Sequence, residues 1–258
     1  MPVIRLRGPA RGWACRVAAG LLSLGAVAAC SGPALLRPEL AAAKSSALEL
    51  SDALEKLIAD GKATEDDREA AYDLVQTLPA STAGDAFGRA AIAGRLAEIR
   101  GALSILGSES PTYLATEAEK YALLSQKLDP AFRDKAATRM LGTLYVLAPA
   151  NMLEGGDSEE GLEILETLVR ESPDVVENQF RLAEALIALG DKEPAKAPLC
   201  IAIAKKTALR ADQQRQVDQL VKEVSGLDCK PTTEAPPAPS APPAASQPPS
   251  EPPPGGDP

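Results

Sequence analysis

Between about residues 34 and 229 the apolar positions of this chain recur at three- and four-residue spacing, with no sustained alternation. Ala71, Leu74, Val75 and Leu78 fall at i, i+3, i+4 and i+7, one stripe of a helix that Thr64 is placed to cap. Ala and Leu dominate and β-branched residues are sparse, which favours helix throughout. The punctuation agrees. Ser110-Pro111 and Asp129-Pro130 each set a capping residue before a proline suited to the first helical position. Asp157 with Glu160, and Asp174 with Glu177, have capping-box spacing. Gly190-Asp191 reads as a helix end turning into the next helix, with Pro194 tolerated in its first turn. The pattern predicts one all-α unit of about nine helices joined by short turns, with a single substantial core.

Short helix pairs raise the question of repeats. Leu182, Ala183, Leu186, Gly190, Ala195, Leu199 and Ala202 fall at the offsets of the tetratricopeptide signature. In that signature, large residues on a first helix meet small ones on a second across a glycine turn. A preceding unit offers Leu141, Gly142 and Tyr145, then Gly161, Leu165, Leu168 and Pro173, interrupted by an extra stretch from Val146 to Gly156. Ala118, Ala122, Ser125 and Pro130 resemble the second helix of an earlier unit, with its first helix between Gly88 and Gly101. Small residues at 86, 90, 93 and 97 permit close helix approach there. The expected architecture is antiparallel helix pairs stacked as a TPR-like α-solenoid over residues 34–229.

The front of the chain is different. Arg5, Arg7, Arg11 and Arg16 precede an apolar run from Val17 to Ala29, and no acid occurs before Cys30. The run is too short to span a bilayer, and basic, apolar and small-residue regions in that order mark an export signal. Val27-Ala28-Ala29-Cys30 resembles the bacterial lipobox, which implies cleavage after residue 29, lipidation of Cys30 and a short linker to residue 33. Ser31, rather than Asp, after that cysteine points to the outer membrane, on the periplasmic side of the envelope. Loss of residues 1–29 removes four of the 27 basic residues and none of the 36 acids, moving the net charge from −9 to −13. Such a surface repels phosphate backbones, so nucleic acid is not an expected partner, and the lipid supplies the membrane anchor.

With Cys15 in the signal and Cys30 modified, Cys200 and Cys229 remain in an oxidising compartment. A disulfide between them is the favoured reading and two free thiols the other. Residues 230–258 form a tail in which 12 of the 28 positions from Pro231 onward are proline, expected to be extended and disordered. A passive spacer is favoured over a ligand for an aromatic-lined groove.

The chemistry is mostly exclusion. The chain contains no histidine, which removes the Ser-His-Asp triad and His-based metal or general-base catalysis. No Gly-rich phosphate loop and no dinucleotide fingerprint occurs. Gly155-Gly156-Asp157 could cradle an ion, but a sharp turn into a helix capped by Asp157 needs the same residues. The expectation is a protein that is not an enzyme and holds no metal or cofactor.

The lipobox, the irregular helical pairs, Arg139-Met140-Leu141-Gly142-Thr143-Leu144-Tyr145, Ala148-Pro149 and Gly155-Gly156-Asp157 together resemble the T-component family of TRAP transporters, over roughly residues 30–225. The resemblance implies a periplasmic lipoprotein of degenerate tetratricopeptide-like repeats. It would act with a periplasmic solute-binding protein or handle a small hydrophobic ligand. The alternative is a lipoprotein scaffold for envelope assembly that grips a peptide or helix in its concave groove. Both would use the inner face of the first helices, where repeat geometry puts Arg139, Thr143, Val146, Glu177, Phe180, Glu184 and Ile187. Phe180 and Ile187 could instead complete the core.

Overall fold

A computed structural model of the protein describes residues 36–103, 110–148, 153 and 155–229. The signal segment 1–29, Cys30 with its linker, and the tail 230–258 lie outside the described residues. Among these residues there are ten α-helices, one 3-10 turn and no strand. In chain order they are α1 (Pro38–Ala42), α2 (Ala47–Ala59), α3 (Glu65–Gln76), α4 (Ala83–Leu103) and α5 (Pro111–Leu128). Then follow α6 (Phe132–Leu147), α7 (Ser158–Glu171), α8 (Val176–Leu189), α9 (Lys192–Ala204), the 3-10 turn Lys206–Ala208 and α10 (Ala211–Glu223).

Local chemistry explains most of the boundaries. Thr64 starts α3 with a reciprocal cap: its hydroxyl accepts from the Asp67 backbone N–H at 3.2 Å, and Asp67 accepts from the Thr64 N–H at 2.8 Å. Ser110 caps α5 through the Tyr113 N–H, with Pro111 in the first helical position. Asp157 caps α7, accepting from the N–H groups of Glu159 and Glu160 at 3.0 Å each. Gly190, at φ +90°, ends α8 in the left-handed conformation that a side chain would oppose.

Two predicted caps are corrected. Asp129 ends α5, and its carboxylate instead accepts from the Ala131 N–H in a turn. The next segment is left-handed: Arg133, Asp134 and Lys135 have φ of 46°, 53° and 59°, and the right-handed part of α6 follows them. Asp174 forms no cap either. Helix α8 starts one residue later, after Val175, and Asp174 pairs with Lys205 at 2.9 Å.

Sequence neighbours pack together, with α4 on α5, α6 on α7 and α8 on α9. The repeat residues form these seams. Leu182, Ala183, Leu186, Ala195, Leu199 and Ala202 are all buried in one cluster shared by α6 to α10. Helices α6 and α7 cross where both chains lack a side chain. A Cβ on Gly142 would lie 3.1 Å from the Gly161 carbonyl oxygen, and one on Gly161 would lie 2.8 Å from that of Gly142. A second cluster, centred on Leu50, Leu54, Tyr72, Ile92 and Leu96, joins α1 to α5. Ala90, Ala122, Leu141 and Tyr145 form a third, smaller cluster on α4, α5 and α6.

The line of pairs does not stay open. Helix α10 packs on α8 and α9 and also returns to α2, so α2, α4, α5, α6, α8 and α10 follow one another round a closed circuit. This closure is absent from the repeat pattern, which predicts contacts between sequence neighbours only. Behind α10, a disulfide joins Cys200 of α9 to Cys229, 29 residues on, and so ties down both ends of the segment that carries the closing helix.

Reduction, or replacement of both cysteines by Ala, is expected to destabilise the protein by about 3 kcal/mol, as for other loops of this order. Denaturant unfolding of oxidised and reduced protein measures this, and alkylation of the native protein should find neither thiol reactive.

Candidate functional site

The circuit of helices surrounds a cavity of about 1190 Å³. Its lining mixes an apolar strip with charged groups. Helices α4, α5 and α6 contribute Phe87, Ala91, Gly94, Ala97, Ala115, Ala118, Met140, Leu144 and Leu147. Most are small, because α4 and α5 approach each other along a seam of alanines, and Leu147 remains 45 % exposed beside the opening they leave. Helices α2, α8 and α10 contribute Glu55, Glu177, Arg181, Glu184, Gln213 and Gln216, with Arg210 just before α10. An apolar strip of α4, α5 and α6 thus lines part of the cavity, while charged groups enter it from several helices, Arg95 and Glu98 on α4 and Arg133, Asp134 and Arg139 on α6 among them.

The charged groups gather in a knot around Arg95 of α4. Its Nε and Nη2 donate to the two oxygens of Glu55 at 2.7 and 2.9 Å, and its Nη1 donates to both oxygens of Glu98 at 3.0 Å. Nη2 also lies 3.3 Å from Asp212. Arg210 bridges the same acids, 2.8 Å from Glu55 and 3.1 Å from Asp212. Arg95 is only 8 % exposed. Burial alone would lower its pKa, but Glu55 and Glu98 outweigh that cost and raise it above the ordinary guanidinium value. Burial likewise works against the Asp212 carboxylate, yet Arg210 and then Arg95 hold it below the usual range. Nearby, Arg215 donates to the carbonyls of Ala59 and Ile58 at 3.1 and 3.3 Å, satisfying the C-terminal end of α2.

Arg139 stands apart from this knot. Its Nη1 donates to Asn178 Oδ1 at 2.9 Å and to the Asp134 carbonyl at 3.0 Å. That carbonyl belongs to the left-handed turn Arg133–Lys135 at the start of α6, whose backbone costs about 1–2 kcal/mol per residue. Burial lowers the Arg139 pKa; Glu177 pulls it up and Arg181 and Arg210 push it down.

Four of the seven groove residues expected from the repeat pattern line this cavity: Arg139, Thr143, Glu177 and Glu184. The other three do not. Val146, Phe180 and Ile187 are 8 %, 0 % and 7 % exposed and belong to the main core cluster. Their turns of helix face α7 and α9, so hydrophobic burial claims them. Arg95, Glu55, Arg210 and Asp212 were absent from that expectation. The signal was a charge set among small and apolar residues on α4, Ile92-Ala93-Gly94-Arg95-Leu96, where an unpaired guanidinium would be costly.

Gly155 and Gly156 pack rather than bind. A Cβ on Gly156 would stand 2.5 Å from the Tyr145 ring, and one on Gly155 would stand 2.6 Å from a Glu119 oxygen. Glu119 accepts from the Gly155 N–H at 2.8 Å. Burial, followed by the Glu119 charge, pushes the Tyr145 hydroxyl pKa up to about 12, so it stays a neutral donor. Among the described residues no group of three or more acids and cysteines is placed to hold a metal ion. No helix of the described residues is long and apolar enough to cross a membrane.

No protein-family model matches this chain, and a comparison with curated proteins finds no match.

Arg95→Met should destabilise the fold by about 3 kcal/mol, because it leaves two largely buried carboxylates with Arg210 as their remaining partner. The depressed Asp212 pKa gives stability that is complete above the ordinary aspartate value of about 3.9 and is lost as pH falls through the folded value. Asp212→Asn should therefore flatten the decline of the thermal midpoint between about pH 4 and pH 2.

Proposed function

We propose that this protein is a non-catalytic, lipid-anchored accessory of the bacterial envelope that holds a small hydrophobic ligand and works beside a periplasmic solute-binding protein, as the resemblance to TRAP-transporter T components implies. The cavity carries this reading. Its volume of about 1190 Å³ is that of a roomy small-molecule site, the helices of the circuit line it, and an apolar strip of α4, α5 and α6 runs along it. Catalysis draws no support from its polar groups. They are arginines and carboxylates that mostly satisfy one another, the reverse of an activated nucleophile or an isolated acid–base pair.

The sequence supports the anchor through Val27-Ala28-Ala29-Cys30, and the Cys200–Cys229 disulfide suits an oxidising compartment. The scaffold reading needs an open concave face able to take a peptide or helix. The return of α10 to α2 closes the circuit round that face and leaves a cavity there, which favours a ligand holder.

Lipid-free protein immobilised in envelope extract should retain a periplasmic solute-binding protein identified by mass spectrometry. Recovery of outer-membrane assembly factors without any solute-binding protein would instead support the scaffold. Mass spectrometry of the protein purified from membranes should find a diacylglyceryl group on Cys30, and an unmodified mature N-terminus would contradict the localisation.

A further inference from the structure

Five arginines line the central cavity: Arg95, Arg133, Arg139, Arg181 and Arg210. Four are committed to carboxylates. Arg95 and Arg210 share Glu55 and Asp212, Arg133 pairs with Asp52 at 2.7 Å, and Arg181 pairs with Glu184 at 2.5 Å. Arg139 has no carboxylate partner among the described residues. Both of its hydrogen bonds leave through Nη1, to a backbone carbonyl and an amide oxygen, so its Nε–H and Nη2 hydrogens have no protein acceptor there. Neither nitrogen is sealed from solvent. The side chain is therefore fixed at one nitrogen while its Nε/Nη2 edge, which fits the two oxygens of a carboxylate, stays available.

What lies beside that edge completes the ligand. Arg139 sits at the start of the right-handed part of α6, and Met140, Thr143, Leu144 and Leu147 line the cavity further along the same helix. Eight residues at 1.5 Å each put Leu147 about 12 Å from Arg139 along the axis, with the alanines of α4 and α5 alongside. A cation at one end of an apolar trough is complementary to an anion at one end of a hydrocarbon chain.

We infer that Arg139 is the head-group site of this cavity, and that the ligand is an amphiphilic carboxylic acid whose chain lies along the α4–α5–α6 wall. The inference rests on the proposed role of the cavity as a ligand holder and adds the chemistry of what it holds. A single negative charge suits the site better than two. Glu177 and Asp134 act on Arg139, and Glu184 lines the same cavity, while Arg181 and Arg210 contribute positive charge already shared with acids. A dianionic phosphate head would meet more repulsion from Glu177 and Glu184 than a carboxylate does.

The test is binding of decanoate, decanol, decyl phosphate and decyltrimethylammonium to the purified full chain at neutral pH, by displacement of a fluorescent apolar probe. Decanoate is expected to bind about tenfold or more tightly than decanol, as a charge-assisted bidentate contact requires. Arg139→Gln should abolish that preference and leave decanol affinity unchanged. Glu177→Gln, which removes a nearby negative charge and leaves Arg139 intact, should tighten decanoate several-fold and decanol not at all. That variant keeps the test decisive if Arg139→Gln does not fold. Equal binding of decanoate and decanol would overturn the head-group assignment while leaving the cavity an apolar ligand site. Tighter binding of the phosphate or the ammonium would overturn the carboxylate. Binding of none of the four would overturn both the assignment and the ligand-holder role on which it rests.

Discussion

The arrangement depends on one buried guanidinium. Arg95 of α4 gathers Glu55 of α2 and Asp212 of α10, residues separated from it by 40 and 117 positions in the chain, and so fastens the last helix to the first large one. Helix pairs stacked on their neighbours need no such contact, because each pair buries its apolar stripe locally. Closing the circuit does need one. The price is the desolvation of charged groups, which is offset only because every acid in the knot has at least one arginine and Arg95 has three acids. The disulfide behind α10 supports the same end by limiting how far the closing segment can move in the unfolded chain.

Closure brings an apolar strip and a set of paired charges round one cavity. On α4 and α5 the residues that let two helices approach closely are alanine and glycine, so an apolar strip lies beside Arg95 and Glu98 there. On α2, α8 and α10 the inward positions lie near the knot and are charged or amide-bearing. Arg139 lines the same cavity, held by Asn178 and by the carbonyl of a left-handed turn. A strained backbone of three non-glycine residues persists only where its surroundings fix it. Here Arg133 pairs with Asp52, Lys135 with Glu171, and the Asp134 carbonyl accepts from Arg139. The same turn thus grips α2, α7 and the cavity at once.

The helices and their pairing were legible in the chain because they are written locally, in stripes such as Ala71 to Leu78 and caps such as Thr64 and Ser110. The seam residues Leu182, Ala183, Ala195 and Ala202 could be read for the same reason: their partners lie within one repeat. Asp129 and Asp174 misled because a good capping residue was recruited elsewhere, Asp129 into a left-handed connection and Asp174 to Lys205. Val146, Phe180 and Ile187 show the limit of repeat geometry, which assigns an inner face without knowing which turns the neighbouring pair will cover. Of the Arg95 knot only the buried charge was legible, in Ile92-Ala93-Gly94-Arg95-Leu96, since nothing in the spacing of residues 55, 95 and 212 reveals that they meet.

The central claim, that the array of helices closes on itself, is tested most directly by a distance between its two ends. Spin labels on Asp60→Cys, at the end of α2, and Gln219→Cys, on the exposed face of α10, report it by double electron–electron resonance in lipid-free protein with the Cys200–Cys229 bond intact. The account predicts one short, narrow distance distribution that broadens and lengthens when Arg95 is replaced by Met. A broad or long distribution in the unsubstituted protein, or a short one indifferent to Arg95, would contradict it.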